Sequence, residues 1–354
     1  MAYTTIDNPE LYFQTKLYTG NGSTQSITLD GDTDMQPDML WGKNRSSVTN
    51  HELTDVVRGI NQRLKPNDTD ADQTNTNTFT SFDSDGFSLG TDADVNASGV
   101  NHVVWSWKAG TAFTNDASAT GIGSIDSAGS FNNDSGFSIV SYTGTGSAGT
   151  IKHGLSSTPS CIIIKRRSVA DGWIVYHAAN TAAPATDYLR LDTTAATADD
   201  ATKFNDTAPT SSVFSVGSDT SVSGSGSTFI AYCFAEKQGY SKFGSYTGNG
   251  STDGTFVYLG FKPAFVMVKE SSGVGNWLMK DNKRPTYNQN NQYLYANGSD
   301  SEFTNSVVGM DLLSNGFKCR GTAGDMNGSG NTIIYMAFAE NPFVTSSGIP
   351  TTGR

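Results

Sequence analysis

Apolar residues in this chain of 354 residues come in short runs of period two, not in long stretches of period 3.6. Val103, Trp105 and Trp107 alternate with Val104 and Ser106. The same alternation returns at Ile230, Tyr232 and Phe234, and again at Ile334, Met336 and Phe338. Period two places each trio on one face of a strand. The intervening residues, among them Ala231, Cys233, Tyr335 and Ala337, are also apolar or small, so these strands are predicted to be covered on both sides. Each trio closes a longer pattern. A Tyr-Thr-Gly turn at Tyr18, Tyr142 and Tyr246 opens it. A proline-led apolar run follows, from Pro37, Pro159 and Pro263 to Lys43, Lys165 and Lys269, always six positions on. Eight residues beyond each lysine stand His51, Trp173 and Trp277. Phe87, Phe214 and Phe317 come next, then a Ser-Gly turn and the closing strand. Five landmarks in one order predict three copies of one unit of about a hundred residues.

The expected fold is all-β: three tandem antiparallel β-sandwich or jelly-roll-like repeats with short terminal arms. Their expected bounds are 15–110, 137–238 and 241–343. Residues 111–136, rich in Ala, Ser, Gly, Asn and Asp, read as a linker. Residues 344–354 read as an extended tail. Residues 1–14 read as an arm in which Asn8 caps a short helix with Pro9 at its first position. Leu53, Val56, Val57, Ile60 and Leu64 have helical spacing, against a strand-like counterpart at Ile174, Val175 and Tyr176.

Gly, Ser, Thr, Asn and Asp are abundant, as in turns joining short strands. A net charge of −11 excludes a nucleic-acid backbone as partner. No apolar run is long enough to span a membrane, and the N-terminus has no basic segment before an apolar one. Neither membrane insertion nor a secretory signal is therefore expected. Cys161, Cys233 and Cys319 are an odd number without a CxxC pair, and are expected as buried free thiols of a protein made in a reducing cytoplasm.

Candidate chemistry is thin. Residues 144–149 match GxGxxG but run into a strand-like segment, which makes them a hairpin turn and not a phosphate loop. Residues 30–34 and 68–72 alternate aspartates as calcium loops do, yet Trp41 and Phe79 stand where a bidentate glutamate belongs. The four histidines lack ligand spacing, and Glu236 and Glu340 have no second acid beside them. No catalytic residue, metal or cofactor is expected. Trp173 and Trp277 are open to two readings, as stacking platforms for sugar rings or as core residues. Lys43, Lys165 and Lys269 read as strand-end charges in water. Leu11, Tyr12, Phe13, Phe343 and Ile349 form apolar clusters outside the repeats and are the expected assembly contacts.

Several segments carry a further likeness: the Tyr-Thr-Gly-Asn-Gly turn at Tyr246, residues 261–269, the Ser-Asp-Gly-Phe block at Ser84, closing strands ending in Lys-Ala-Gly or Phe-Ala-Glu, and Ile349-Pro350-Thr351-Thr352. Over nearly its whole length the chain resembles tandem β-domain proteins of tailed bacteriophages of marine bacteria, including those of cyanobacteria and pelagic bacteria. The resemblance implies a non-enzymatic virion protein, either a capsid decoration or a tail or fibre appendage subunit. Its implied partners are other virion proteins and further copies of itself. It carries over no catalytic or ligand residues. The chain departs from tail-fibre organisation in having no collagen-like repeat and no heptads. A glycan-binding adhesin for host surface polysaccharide is the alternative, and a polysaccharide depolymerase the third.

Overall fold

The computed structural model describes residues 3–285 and 287–351. It is nearly all β, and one strand order occurs three times. An opening strand (Phe13–Thr19, Phe137–Thr143, Ser241–Thr247) pairs with a closing strand (Asn101–Trp107, Thr228–Phe234, Thr332–Pro342). The closing strand pairs in turn with a lysine strand (Met39–Asn44, Cys161–Arg166, Phe261–Glu270). A flanking strand follows (Glu52–Asp55, Trp173–His177, Trp277–Asp281). All pairs are antiparallel. A smaller outer sheet covers one face of each main sheet: Gln25–Thr28 with Gly86–Leu89 and Phe79–Asp83, Gly149–Lys152 with Val213–Val216, and Phe256–Tyr258 with Gly316–Cys319 and Met310–Leu313.

The opposite faces of the three main sheets meet. One apolar cluster holds Val103, Trp105 and Trp107, Ile230, Tyr232 and Phe234, and Ile334, Met336 and Phe338 together. The alternate positions face outward into three separate cores, with Val104 in the first, Ala231 and Cys233 in the second, and Tyr335 and Ala337 in the third. This is why the closing strands are apolar on both faces. Phe13, Trp107, Phe234, Phe265 and Phe338 lie ring against ring at the centre, with centroids 4.9–6.5 Å apart. The three copies therefore share one core and close into a ring.

Each copy is pinned the same way at its opening turn. The Tyr18 hydroxyl donates to the Val95 carbonyl at 2.5 Å, Tyr142 to Val222 at 2.7 Å and Tyr246 to Met326 at 2.6 Å. The glycine two residues on is obligatory. A Cβ on Gly20, Gly144 or Gly248 would fall 2.2–2.5 Å from a carbonyl oxygen of the turn before the closing strand.

Three expectations change here. The stretch read as a linker forms a hairpin, Thr111–Asn115 with Ser127–Asn132, that joins the second main sheet beside Phe137–Thr143. The helical spacing at Leu53, Val56, Val57, Ile60 and Leu64 is not a helix: Leu53 and Leu64 face each other across a β-bridge, and the turn between them is capped by Asp55. Phe13 is not an arm residue but a buried part of the central core. The arm does carry the expected short helix, Pro9–Leu11 capped by Asn8. Met1, Ala2 and residues 352–354 lie outside the described residues.

Candidate functional site: the seams between copies

The polar chemistry of the chain collects where one copy meets the next, and the three seams are built alike. A loop of each copy reaches the end of the next copy's lysine strand. Thr69 of the first copy accepts from Lys165 at 3.0 Å and from the Asp171 amide at 2.8 Å. Thr194 of the second accepts from Lys269 at 3.3 Å and from the Gly275 amide at 3.0 Å. Ser299 of the third accepts from Lys43 at 3.2 Å and from the Thr49 amide at 3.0 Å. All three lysines are buried, which corrects their reading as charges in water. Burial lowers each ammonium to about 8, and backbone carbonyls rather than carboxylates hold the protons.

Trp173 and Trp277 stand beside these lysines. Trp173 is wholly buried and donates its indole N–H to the carbonyls of Lys65 and Asp68 at 3.0 and 3.1 Å. Trp277 donates to the Arg190 carbonyl at 2.8 Å. Neither ring face is open to a sugar, so the platform reading fails and the core reading holds. His51 occupies the equivalent place, with Nε2 3.0 Å from the Tyr295 carbonyl and Nδ1 accepting from Trp41 at 2.9 Å. Volume is exchanged across the pair: Trp41 with His51, Ile163 with Trp173, Met267 with Trp277.

Deeper in two seams lies an ion pair missed in the sequence. The Asp55 carboxylate accepts from Arg58 Nε at 2.6 Å and, across the seam, from the Tyr232 hydroxyl at 2.7 Å. Asp281 accepts from Arg284 Nε at 2.6 Å and from Trp105 Nε1 at 3.2 Å. The remaining seam, between the second and third copies, places Met336 where Tyr232 and Trp105 stand. With no donor there, the pair is replaced by His177 and Asn180, and His177 Nε2 meets the Tyr335 carbonyl at 3.0 Å. Arg167 with Asp72 and Arg45 with Glu302 close the rims of the two seams that carry the buried pair. The recurring Asp-x-x-Arg spacing was the signal that could have found them.

A buried ion pair adds little net stability, but breaking one strands a charge. Arg58→Ala is expected to destabilise the chain by about 3–5 kcal/mol, read from denaturant melts. Arg58→Asn made together with Asp55→His and Tyr232→Met reproduces the seam between the second and third copies. It should cost less than Arg58→Asn alone, because the three positions couple. A purely additive series would refute that coupling.

Three of the six aspartates in the aspartate-rich loops form ion pairs, Asp30 with Lys16, Asp70 with Lys65, and Asp72 with Arg58 and Arg167. Among the described residues no group of three or more His, Cys, Asp or Glu is placed to hold a metal. Residues 144–149 form the expected turn into Gly149–Lys152. All three cysteines are buried and free. Glu340 is engaged by Lys262 and Asn282. Two shallow clefts are lined largely by hydroxyls: one of about 640 Å³ between the second and third copies, with Ser245, Ser271 and Thr332, and one of about 630 Å³ within the second copy and its added hairpin, with Ser141, Thr143 and Thr228. Of the expected assembly contacts, Leu11 and Tyr12 are half-buried, with Tyr12 on Tyr240 at 5.8 Å. Phe343 packs on Tyr3, and Ile349 is exposed.

A family model matches residues 8–342, spanning all three copies as one unit. The chain belongs to the family described as Domain of unknown function (DUF7483). Comparison with curated proteins and with solved structures found no match. No helix among the described residues is long and apolar enough to cross a membrane.

Proposed function

We propose that this DUF7483 chain is a non-enzymatic structural protein of a virus particle, exposed on the particle as a capsid decoration or appendage subunit. The observation that carries the reading is polarity. Strand register puts the start of every opening strand beside the end of a closing strand, as Phe13 beside Trp107, Phe137 beside Phe234 and Ser241 beside Phe338. The first and last described segments meet at that pole: Tyr3 and the Phe343 amide both donate to the Gly260 carbonyl, the Tyr3 and Phe343 rings pack, and Asp7 accepts from Ser346. The opposite pole carries three sets of turns with exposed Val48, Val169 and Val274. A body that attaches by one pole and displays the other suits a particle surface. The resemblance to virion-associated phage proteins supports the same reading, and a glycan-binding adhesin is compatible with it.

The pole where Tyr3, Asp7, Phe343 and Ser346 meet is then the attached one. Deleting residues 344–354 should leave the fold intact and lower incorporation into particles, measured as copies per particle. Deleting residues 1–14 should instead unfold the protein, because it removes Phe13. Tail-deleted protein at wild-type occupancy, or a particle density map with the valine-bearing pole against the shell, would reject this arrangement.

A further inference from the structure

The three copies serve as controls for one another, and one surface breaks the pattern. On the outer sheet of each copy the first strand points one residue inward, Ile27, Ile151 or Val257, all buried. Its neighbours point outward. In the first copy these are Ser26 and Thr28, and in the second Thr150 and Lys152. In the third they are Phe256 and Tyr258, each nearly half exposed, at 44% and 47%. The first copy's outer face is satisfied by hydroxyls, with Ser26 bonded to Ser88, and Ser81 and Ser88 both donating to Asp83. The fold therefore does not need aromatic rings at this place. Leaving two of them half in water forgoes burial that apolar side chains otherwise gain.

Polar groups frame the pair. Lys318 stands directly across from Phe256 and pairs with the exposed Asp253 at 2.6 Å. Arg320 reaches Asp311 at 3.4 Å and Asp253 at 3.8 Å. Lys242 Nζ lies 5.5 Å from the centre of the Tyr258 ring and donates to that residue's carbonyl, while the Tyr258 hydroxyl meets that of Tyr3 at 3.3 Å. Three cations and two carboxylates make this face locally positive on a chain of net charge −11.

We infer that the outer face of the third copy's outer sheet is a binding site for an acidic saccharide. Phe256 and Tyr258, two residues apart on one strand, offer flat apolar surfaces to the C–H faces of successive sugar rings. Lys318 and Arg320 supply donors to ring hydroxyls and to carboxylate or sulfate substituents, and Asp253 and Asp311 accept from hydroxyls. The opposite signs of ligand and face favour encounter with an acidic polymer over a neutral one. The site goes beyond the particle role proposed above; it borders the attached pole through Tyr3, but saccharide binding by the free chain and incorporation into particles are measured separately, so either can fail alone.

The test is affinity electrophoresis of the full chain through gels carrying a uronate polymer, a sulfated polysaccharide, a sialylated polysaccharide or neutral dextran. The chain should be retarded by at least one acidic polymer and pass dextran freely. A double variant, Phe256→Ser with Tyr258→Thr, takes the residues the first copy already uses there, and should lose at least tenfold in affinity while melting as the parent does. Should that variant melt early, Lys318→Ala keeps both rings and should weaken retention in the acidic gels alone. Free passage of the parent through every acidic gel, retention by dextran as strong as by the acids, or equal retention of parent and both variants would each overturn the site.

Discussion

Residues 137–238 produced alone are expected to remain unfolded, and the whole chain to melt in a single transition. The inner face of that copy's main sheet presents Ile139, Ile163, Val175, Ile230, Tyr232 and Phe234 to a core whose other walls belong to the first and third copies. Cutting the copy out returns these side chains to water. At roughly 1.5–3 kcal/mol for each large apolar side chain, the loss is on the order of 10 kcal/mol, as large as the whole stability of an ordinary domain. The cut also removes the carbonyls of Lys65, Asp68 and Thr69, leaving the Trp173 indole and the Lys165 ammonium without their acceptors from the first copy. The measurement is far-ultraviolet dichroism of the excised copy, with tryptophan fluorescence of the full chain for the melt. Trp41, Trp105 and Trp107 report on the first copy, Trp173 on the second and Trp277 on the third. A cooperative melt of the excised copy, or separate transitions in the full chain, would show that the copies are independent domains after all.

The recurrence that reveals three copies was legible because turns and strand faces constrain residue type locally. Tyr18, Tyr142 and Tyr246 each close a turn within their own copy, and the closing-strand trios declare their faces by period two. What lies between copies was hidden for a physical reason. A lysine at the end of an apolar strand looks the same whether its ammonium meets water or the carbonyls of a loop distant in sequence. Lys43, Lys165 and Lys269 therefore read as solvated, although a charge kept at one place in all three copies of a chain poor in charge was a hint. Trp173 and Trp277 were ambiguous on the same grounds, since their acceptors belong to another copy. The spacing at 53–64 imitates a helix because Asp55 folds a tight turn that its carboxylate caps, which apolar periodicity alone does not register. Phe256 and Tyr258 stand out only when outward positions are compared copy by copy, and that comparison requires the strand register.

Acid should unfold the chain between about pH 6 and 4, a loss that begins above the range in which ordinary carboxylates titrate. All four histidines are buried. Burial lowers His51 to about 3 and His102, His153 and His177 to about 4. Three of the rings are also held as neutral tautomers: Nδ1 accepts from Trp41 in His51, from the Leu155 amide in His153 and from the Ala179 amide in His177, while Nε2 faces a carbonyl. A proton added at Nδ1 would point at an existing N–H. The sign follows from the native values lying below the unfolded one of about 6.5. The unfolded chain then binds more protons, so the stability these rings support is complete above pH 6.5 and is lost as pH falls towards 4. Each ring accounts for roughly 3 kcal/mol, and four for on the order of 10 kcal/mol. Glu52 works the other way: burial raises it to about 8, and burial raises Asp38, Asp94, Asp192 and Glu270 as well, so these carboxyls gain protons in the folded state first and offset part of the loss. The remaining loss is still a large part of the stability of a typical domain. His177→Asp with Asn180→Arg and Met336→Tyr imports the pair used in the first seam and removes one of the four rings, so its acid midpoint should fall below the parent's. Folded parent at pH 4, with unchanged near-ultraviolet dichroism and no early melt, would mean that these histidines are not held neutral by the fold.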